Sequence, residues 1–420
     1  MKRLLRRLLE SRRVHAYLRA VYREIQPPAD IIPEAMPLPS RESVLREPRL
    51  NLIIPALSSD SIFGGIRTAL DLFDELRKGY RNARIIITDQ QAFGVKDNAA
   101  FASWEIRKLD DPKEGGLEVV VAGDRWKKTL AVSTGDRFIA TAWWTALIAE
   151  SIQKEQRVRY GAGDPYRYIY LIQDFEPGFY PWSSRYVLAE GTYRQQENMV
   201  AVFNSAMLRD YFCREGYRFP REYVLEPRLN ARLRECGAEM TVARKRQILV
   251  YGRPSVERNA FALIVMGLRE WVSRNPESGW VFLSVGEGHE DIILGHGNIL
   301  RSLGKLSLEE YARCLLESTI GISLMISPHP SYPPLEMAAF GVHVITNGFK
   351  GKDLSRLSSR IHSVDSLDAG SLAGEIDALQ HKEGTGGLAE GLWLREYSAG
   401  ECDFAKIKAA VLRDIGHSEY

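Results

Sequence analysis

One rhythm, met twice along the chain, constrains the fold more than any other feature. Residues 50–57 are apolar, 63–78 carry helical periodicity and 83–88 are apolar again. A strand, a crossover helix and a second strand form a βαβ unit, and such units build parallel sheets. Further strands are predicted at 117–121, 137–142, 168–172 and 199–203, with helices near 143–154 and 205–213. After the Arg-rich, Pro-containing stretch 220–246 the rhythm restarts. Strands are expected at 247–251, 280–285, 320–326 and 342–345, alternating with helices at about 257–273, 307–317 and 333–340. The fold class is therefore α/β, with two Rossmann-like domains whose parallel sheets face each other across a cleft. A chain of 420 residues also exceeds the usual size of one core. The expected division is an N-terminal amphipathic helix and linker over 1–49, a first domain over 50–240, and a second domain with C-terminal helices over 241–420.

Composition excludes several classes. Lys plus Arg (56) nearly balances Asp plus Glu (54), so no field over the whole chain draws it to nucleic acid. Cys213, Cys236, Cys314 and Cys402 show no C-x-x-C spacing and fit a reducing compartment without a metal site. No apolar run approaches the roughly 20 residues of a membrane span, and the basic N-terminus lacks the apolar core of a signal peptide. A cytoplasmic location is expected. Within 1–26, Leu4, Leu5, Leu8, Leu9, Leu18, Val21, Tyr22 and Ile25 recur at helical spacing, with eight basic residues in the other positions. That segment reads as a helix packed on the first domain, or as one lying on an anionic membrane surface at the inner face of the cell membrane.

Ligands in open parallel sheets bind beyond the carboxyl ends of the strands, so the loops there are the candidate sites. Residues 322–341 run from a strand through a Pro-rich turn into a helix opened by Pro333-Pro334, with Glu336 in its first turn. Free amides at a helix start bind anions, and an acceptor-only carboxylate suits the hydroxyls of a sugar attached to that anion. His329, Ser331 and Tyr332 lie in the same turn. The loop after 247–251 supplies Gly252, Arg253 and Arg258, two guanidiniums suited to phosphate. Gly286 and Lys305 follow the next strand and loop, where a nucleobase rim is one reading and simple turns the other. In the first domain, Gly64, Gly65 and Arg67 open a helix. Trp143, Gln173, Asp174 and Glu176 follow predicted strands and offer the aromatic and acidic groups of a carbohydrate acceptor groove. Trp143 also reads as core.

Together these residues resemble the retaining glycosyltransferases of family 4, which have the two-domain GT-B fold. The stretch Gly64-Gly65-Ile66-Arg67 looks like their acceptor-domain glycine turn. Arg253 with Arg258 looks like their basic pair for the donor diphosphate, with Arg in place of the more usual Lys. Pro334 to Gly341 is similar to the second half of their paired-glutamate motif. Two positions depart from the pattern: the first glutamate falls on Pro328, and a common histidine appears as Gln173. The segments 327–336 and 173–182 resemble the bacterial rhamnosyltransferases that build S-layer and cell-surface glycans from dTDP-L-rhamnose.

The resemblance implies transfer of L-rhamnose from dTDP-L-rhamnose to a growing, lipid-linked surface glycan. Arg253 and Arg258 would stabilise the departing diphosphate with amides near 331–333, and Asp174 would orient the acceptor. The expected partners are a nucleotide-sugar donor, a glycan or lipid-linked glycan acceptor, and a membrane surface touched through residues 1–26, with no nucleic acid. No D-x-D sequence occurs, and no cofactor or metal is expected. A GT-B sugar-nucleotide epimerase and a non-catalytic two-lobed sugar-binding protein are the rival readings.

Overall fold

The computed structural model describes residues 31–57, 65–89, 101–161, 166–382, 388 and 403–416. The predicted N-terminal helix, Gly64 and Cys402 lie outside them.

The first domain holds β1 (Ser40–Glu42), β2 (Arg49–Ile54), β3 (Asn82–Ile87), β4 (Glu105–Lys108), β5 (Leu117–Val121), β6 (Leu130–Val132), β7 (Asp136–Ala140), β8 (Tyr168–Ile172), β9 (Met199–Phe203) and β10 (Glu222–Val224). Eight of these form one sheet in the order β10-β9-β8-β7-β2-β3-β5-β4, parallel throughout. Strand β2 is buried along its whole length, and its side chains divide by parity. Leu50, Leu52 and Ile54 enter one core and Ile53 the other. Helices cover both faces, which is why parallel strands read as continuous apolar runs.

The second domain holds β11 (Lys245–Gly252), β12 (Val281–Gly286), β13 (Ile292–Gly295), β14 (Asn298–Gly304), β15 (Ser318–Ile322), β16 (His343–Asn347) and β17 (Ile361–Val364). Their order is β13-β14-β12-β11-β15-β16-β17, and only the edge pair β13-β14 is antiparallel. Ile248 and Val250 face one core while Leu249 faces the other. The two-domain α/β expectation holds.

Several elements escaped the sequence reading: β1, β4, β6, β10, β13, β14 and β17, and the helices Ser184–Thr192 and Ala231–Ala238. The expected C-terminal helices include Ala369–Leu379 and Asp403–Asp414. The last helix corrects the expected division. Assigned by position to the second domain, it returns to the first, where Val411, Leu412 and Ile415 join the core with Leu50 and Leu70. Arg137 Nε donates to the Ile415 carbonyl at 2.6 Å, and Tyr223 Oη to Asp414 at 2.8 Å.

Within each domain the chain changes its direction of progress across the sheet at the central strands. In the first sheet this lies between β2 and β7, in the second between β11 and β15. The loops after those strands diverge and leave a crevice.

Candidate functional site

Loops at the carboxyl ends of the two sheets meet. After β8, Asp174 reaches across to the second domain. Its Oδ1 accepts from its own neighbour's amide, Phe175 N, at 2.8 Å and from Ser327 Oγ at 2.6 Å. Its Oδ2 takes Nη1 of Arg258 in an ion pair. The Arg258 guanidinium also lies over the Phe179 ring, 3.9 Å from its centroid. Both faces of the crevice are thereby joined at the carboxyl ends of their sheets.

The turn after β15 is shaped by its own side chains. Ser327 Oγ accepts from His329 N at 3.0 Å, and His329 Nδ1 accepts from Ser331 N at 3.0 Å. Ser331 takes a left-handed conformation at φ 69°, a strained choice for a residue other than glycine. With Nδ1 accepting, Nε2 of His329 is the donor, and it lies 3.2 Å from the carbonyl of Asn204 in the first domain. Burial lowers the His329 pKa to about 4, so the ring is neutral.

Three buried side chains that sequence reasoning missed hold this turn. Asn259 donates to the carbonyls of Tyr251 and Leu324 and accepts from Arg253 N at 2.8 Å. Asn347 accepts from Met325 N at 2.7 Å and donates to its carbonyl at 3.1 Å. Lys352, 2% exposed, donates to the same carbonyl at 2.6 Å. Burial lowers its pKa to about 7 against the pull of Asp174. Asn347-Gly348 at a predicted strand end was the one available signal, a dipeptide that marks a turn.

Two domain matches now decide the family: the model described as "WsaF, N-terminal domain" matches residues 49–206, and "WsaF, C-terminal domain" matches 246–377. The chain belongs to the WsaF family. Its two domains have the GT-B fold. The O-antigen biosynthesis protein RfbC of Myxococcus xanthus is 30% identical over 181 residues, which are 42% of this chain and 14% of RfbC. The chain thus aligns with about one seventh of that relative. Sucrose-phosphate synthase of Thermosynechococcus elongatus superposes with a TM-score of 0.52 at 13% identity, covering 88% of this chain and 96% of the other. Anabaena HepE, solved with UDP and glucose, gives 0.52 at 12% identity, covering 88% and 95%. These two likenesses speak for the fold.

Within this WsaF-family site the remaining expected residues separate. Glu336 accepts from Tyr311 Oη at 3.3 Å beside the turn, and burial pushes its pKa up to about 7. Gly252 packs so tightly that a Cβ there would lie 2.5 Å from Ser284 Oγ, and Gly286 adopts φ 115° beside it. Arg253 is exposed, with no carboxylate partner among the described residues. Lys305 is exposed on the loop after β14. Tyr332 Oη is 3.3 Å from Thr68 Oγ1 of the first domain. A Cβ on Gly65 would lie 2.5 Å from Gln173 Oε1, so these two residues are close neighbours.

Five expectations need correction. Trp143 is fully buried and donates to Tyr180 Oη at 3.0 Å, so it is core and not a sugar platform. Glu176 is buried and accepts from Tyr170 Oη at 2.9 Å, and burial raises its pKa to about 8. It is a neutral internal carboxyl, closed to an acceptor. Arg67 turns along its own helix to Asp71 at 2.9 Å. His329 has both ring nitrogens engaged and none to offer a phosphate. The helix Pro333–Ala339 opens with two prolines, which carry no amide, and the Ser331 amide is already donated to His329. The expected row of free amides near 331–333 is therefore not there.

Proposed function

We propose that the protein transfers L-rhamnose from dTDP-L-rhamnose onto a growing, lipid-linked surface glycan, with retention of configuration. One observation carries the reading. Arg258 of the donor domain and Asp174 of the acceptor domain meet where the two parallel sheets point their carboxyl ends at each other.

The donor diphosphate would lie between Arg258 and the exposed Arg253, with Glu336 placed for ribose hydroxyls. Negative charge develops on the departing diphosphate, and fixed guanidiniums there stabilise the transition state. In a same-face transfer the diphosphate oxygen accepts the acceptor's proton, so no separate base is needed, and Asp174 orients the acceptor hydroxyl. With arginines supplying the positive charge, the reaction is proposed to run without a metal ion. The UDP and glucose in HepE support a nucleoside diphosphate donor by analogy of fold. Membership of a family associated with S-layer glycan rhamnosyl transfer supports the sugar.

The test is thermal stabilisation by dTDP, UDP and GDP, followed by product analysis with dTDP-L-rhamnose in the presence and absence of a chelator. A ligand that binds the folded state raises its stability by about RT ln(1 + [L]/Kd). Free dTDP with an elongated acceptor, unaffected by chelation, is expected. An altered sugar still attached to its nucleotide would mean an epimerase instead.

A further inference from the structure

Arg258 has more than one claim on it. Its Nη1 is bound by Asp174 and its face covers Phe179, both on the first-domain loop after β8. Its own backbone is pinned to the donor domain, since its carbonyl accepts from Ile326 N at 2.7 Å. The same side chain is the one the proposed function assigns to the diphosphate.

Asp174 is built to survive the loss of this partner. Ser327 Oγ and Phe175 N both bind Oδ1, so only Oδ2 depends on Arg258. Two donor-domain cations, Arg258 and the buried Lys352, act electrostatically on this one carboxylate. A diphosphate offers more charge and a bidentate acceptor to the guanidinium than a single carboxylate oxygen does.

We infer that Asp174 and the donor diphosphate compete for Arg258, so that donor binding opens this latch and only then presents Oδ2 of Asp174 to the acceptor hydroxyl. The inference rests on the diphosphate-sugar reading above. It makes the order of binding a property of the site: donor first, acceptor second. It also assigns Asp174 a second role, that of an internal competitor at the donor site.

Calorimetric titration of the full chain with dTDP and UDP, and with thymidine and uridine, tests it. Asp174→Asn keeps the Oδ1 contacts and removes the charge, and it should tighten diphosphate binding by about three- to tenfold, the scale of a partly exposed ion pair. Nucleoside binding should not move. In an Arg258→Ala background the same change should have no effect on diphosphate affinity. Asp174→Ser serves as a second variant, with the unfolding midpoint confirming that each protein is folded. Weaker or unchanged diphosphate binding in both variants overturns the inference, since Asp174 would then be positioning Arg258 for the phosphate. If the parent binds neither diphosphate, the transferase reading falls and this inference with it.

Discussion

Two ionic clusters of similar chemistry lie at opposite edges of the first sheet. At the amino-terminal edge, Arg49 holds Asp136 through Nε at 2.7 Å and Nη2 at 3.0 Å, and Glu118 through Nη1 at 2.9 Å. Asn51 and Arg84 join it, and these five residues are at most 2% exposed, while Arg107, 9% exposed, reaches Glu118 at 3.2 Å. Burial pushes the Asp136 carboxyl up, yet Arg49 and Arg84 beside it hold it well below the usual carboxylate range. At the carboxyl edge, Asp174 and Arg258 come from different domains and remain 15% and 25% exposed. The first cluster is closed within one domain, while the second joins two domains and stays partly open to solvent. Enclosure, more than residue type, separates a structural ion pair from a functional one.

The sharpest way to break this comparison is by stability. Asp136→Asn leaves two buried guanidiniums undercompensated and should cost about 3 to 5 kcal/mol in urea unfolding. Asp174→Asn should cost less than about 1 kcal/mol, the range of exposed pairs. Equal losses would make the cleft pair structural too.

Ligand affinity sharpens the other side. Arg258→Ala, or Arg253→Ala, should weaken diphosphate binding by roughly 1.5 to 3 kcal/mol and leave nucleoside binding nearly unchanged. Parallel losses for nucleoside and diphosphate would remove the arginines from the phosphate site.

Glu176 and Asp136 form a smaller contrast, since both carboxyls are buried and Asp136 is ion-paired to two arginines while Glu176 is bound by a tyrosine hydroxyl. With its pKa raised by burial to about 8, Glu176 binds a proton in the folded state that the unfolded chain releases near its ordinary value of 4.5. Its contribution to stability is full below that value and is lost as pH rises through about 8. Glu176→Gln mimics the neutral form. Its stability relative to the parent should therefore grow by up to about 1.4 kcal/mol per pH unit between pH 5 and 8, read from unfolding midpoints. A difference that stays flat with pH would show that Glu176 is charged in the fold.

Gly65→Ala carries the smallest effect. The new Cβ meets the tip of Gln173, a flexible side chain whose Oε1 has no hydrogen-bond partner and can yield. The helix preference for alanine offsets part of the strain, so stability should change by less than about 1 kcal/mol. The acceptor KM should rise while donor affinity holds; a change in donor affinity instead would place Gly65 on the wrong side of the cleft.

The central strands and their helices were legible in the sequence because parallel strands buried on both faces favour apolar runs, unbroken in β8 and β9 and interrupted by a few polar residues in β2 and β15. Short edge strands such as β4, β10 and β13 carry no such signal, since half-covered edges tolerate mixed residues. The loops bearing Asp174, Arg258 and Glu336 were also legible, because a strand end followed by charge and turn residues is a local pattern. Their partners were not. That Arg258 would face Asp174, 84 positions away, depends on two domains meeting. That Trp143 and Glu176 would sink into the core while Lys352 and Asn259 would brace the turn depends on which side of each loop the packing encloses. Hydrophobic periodicity is written along the chain, whereas burial of a polar side chain is decided by neighbours distant in sequence.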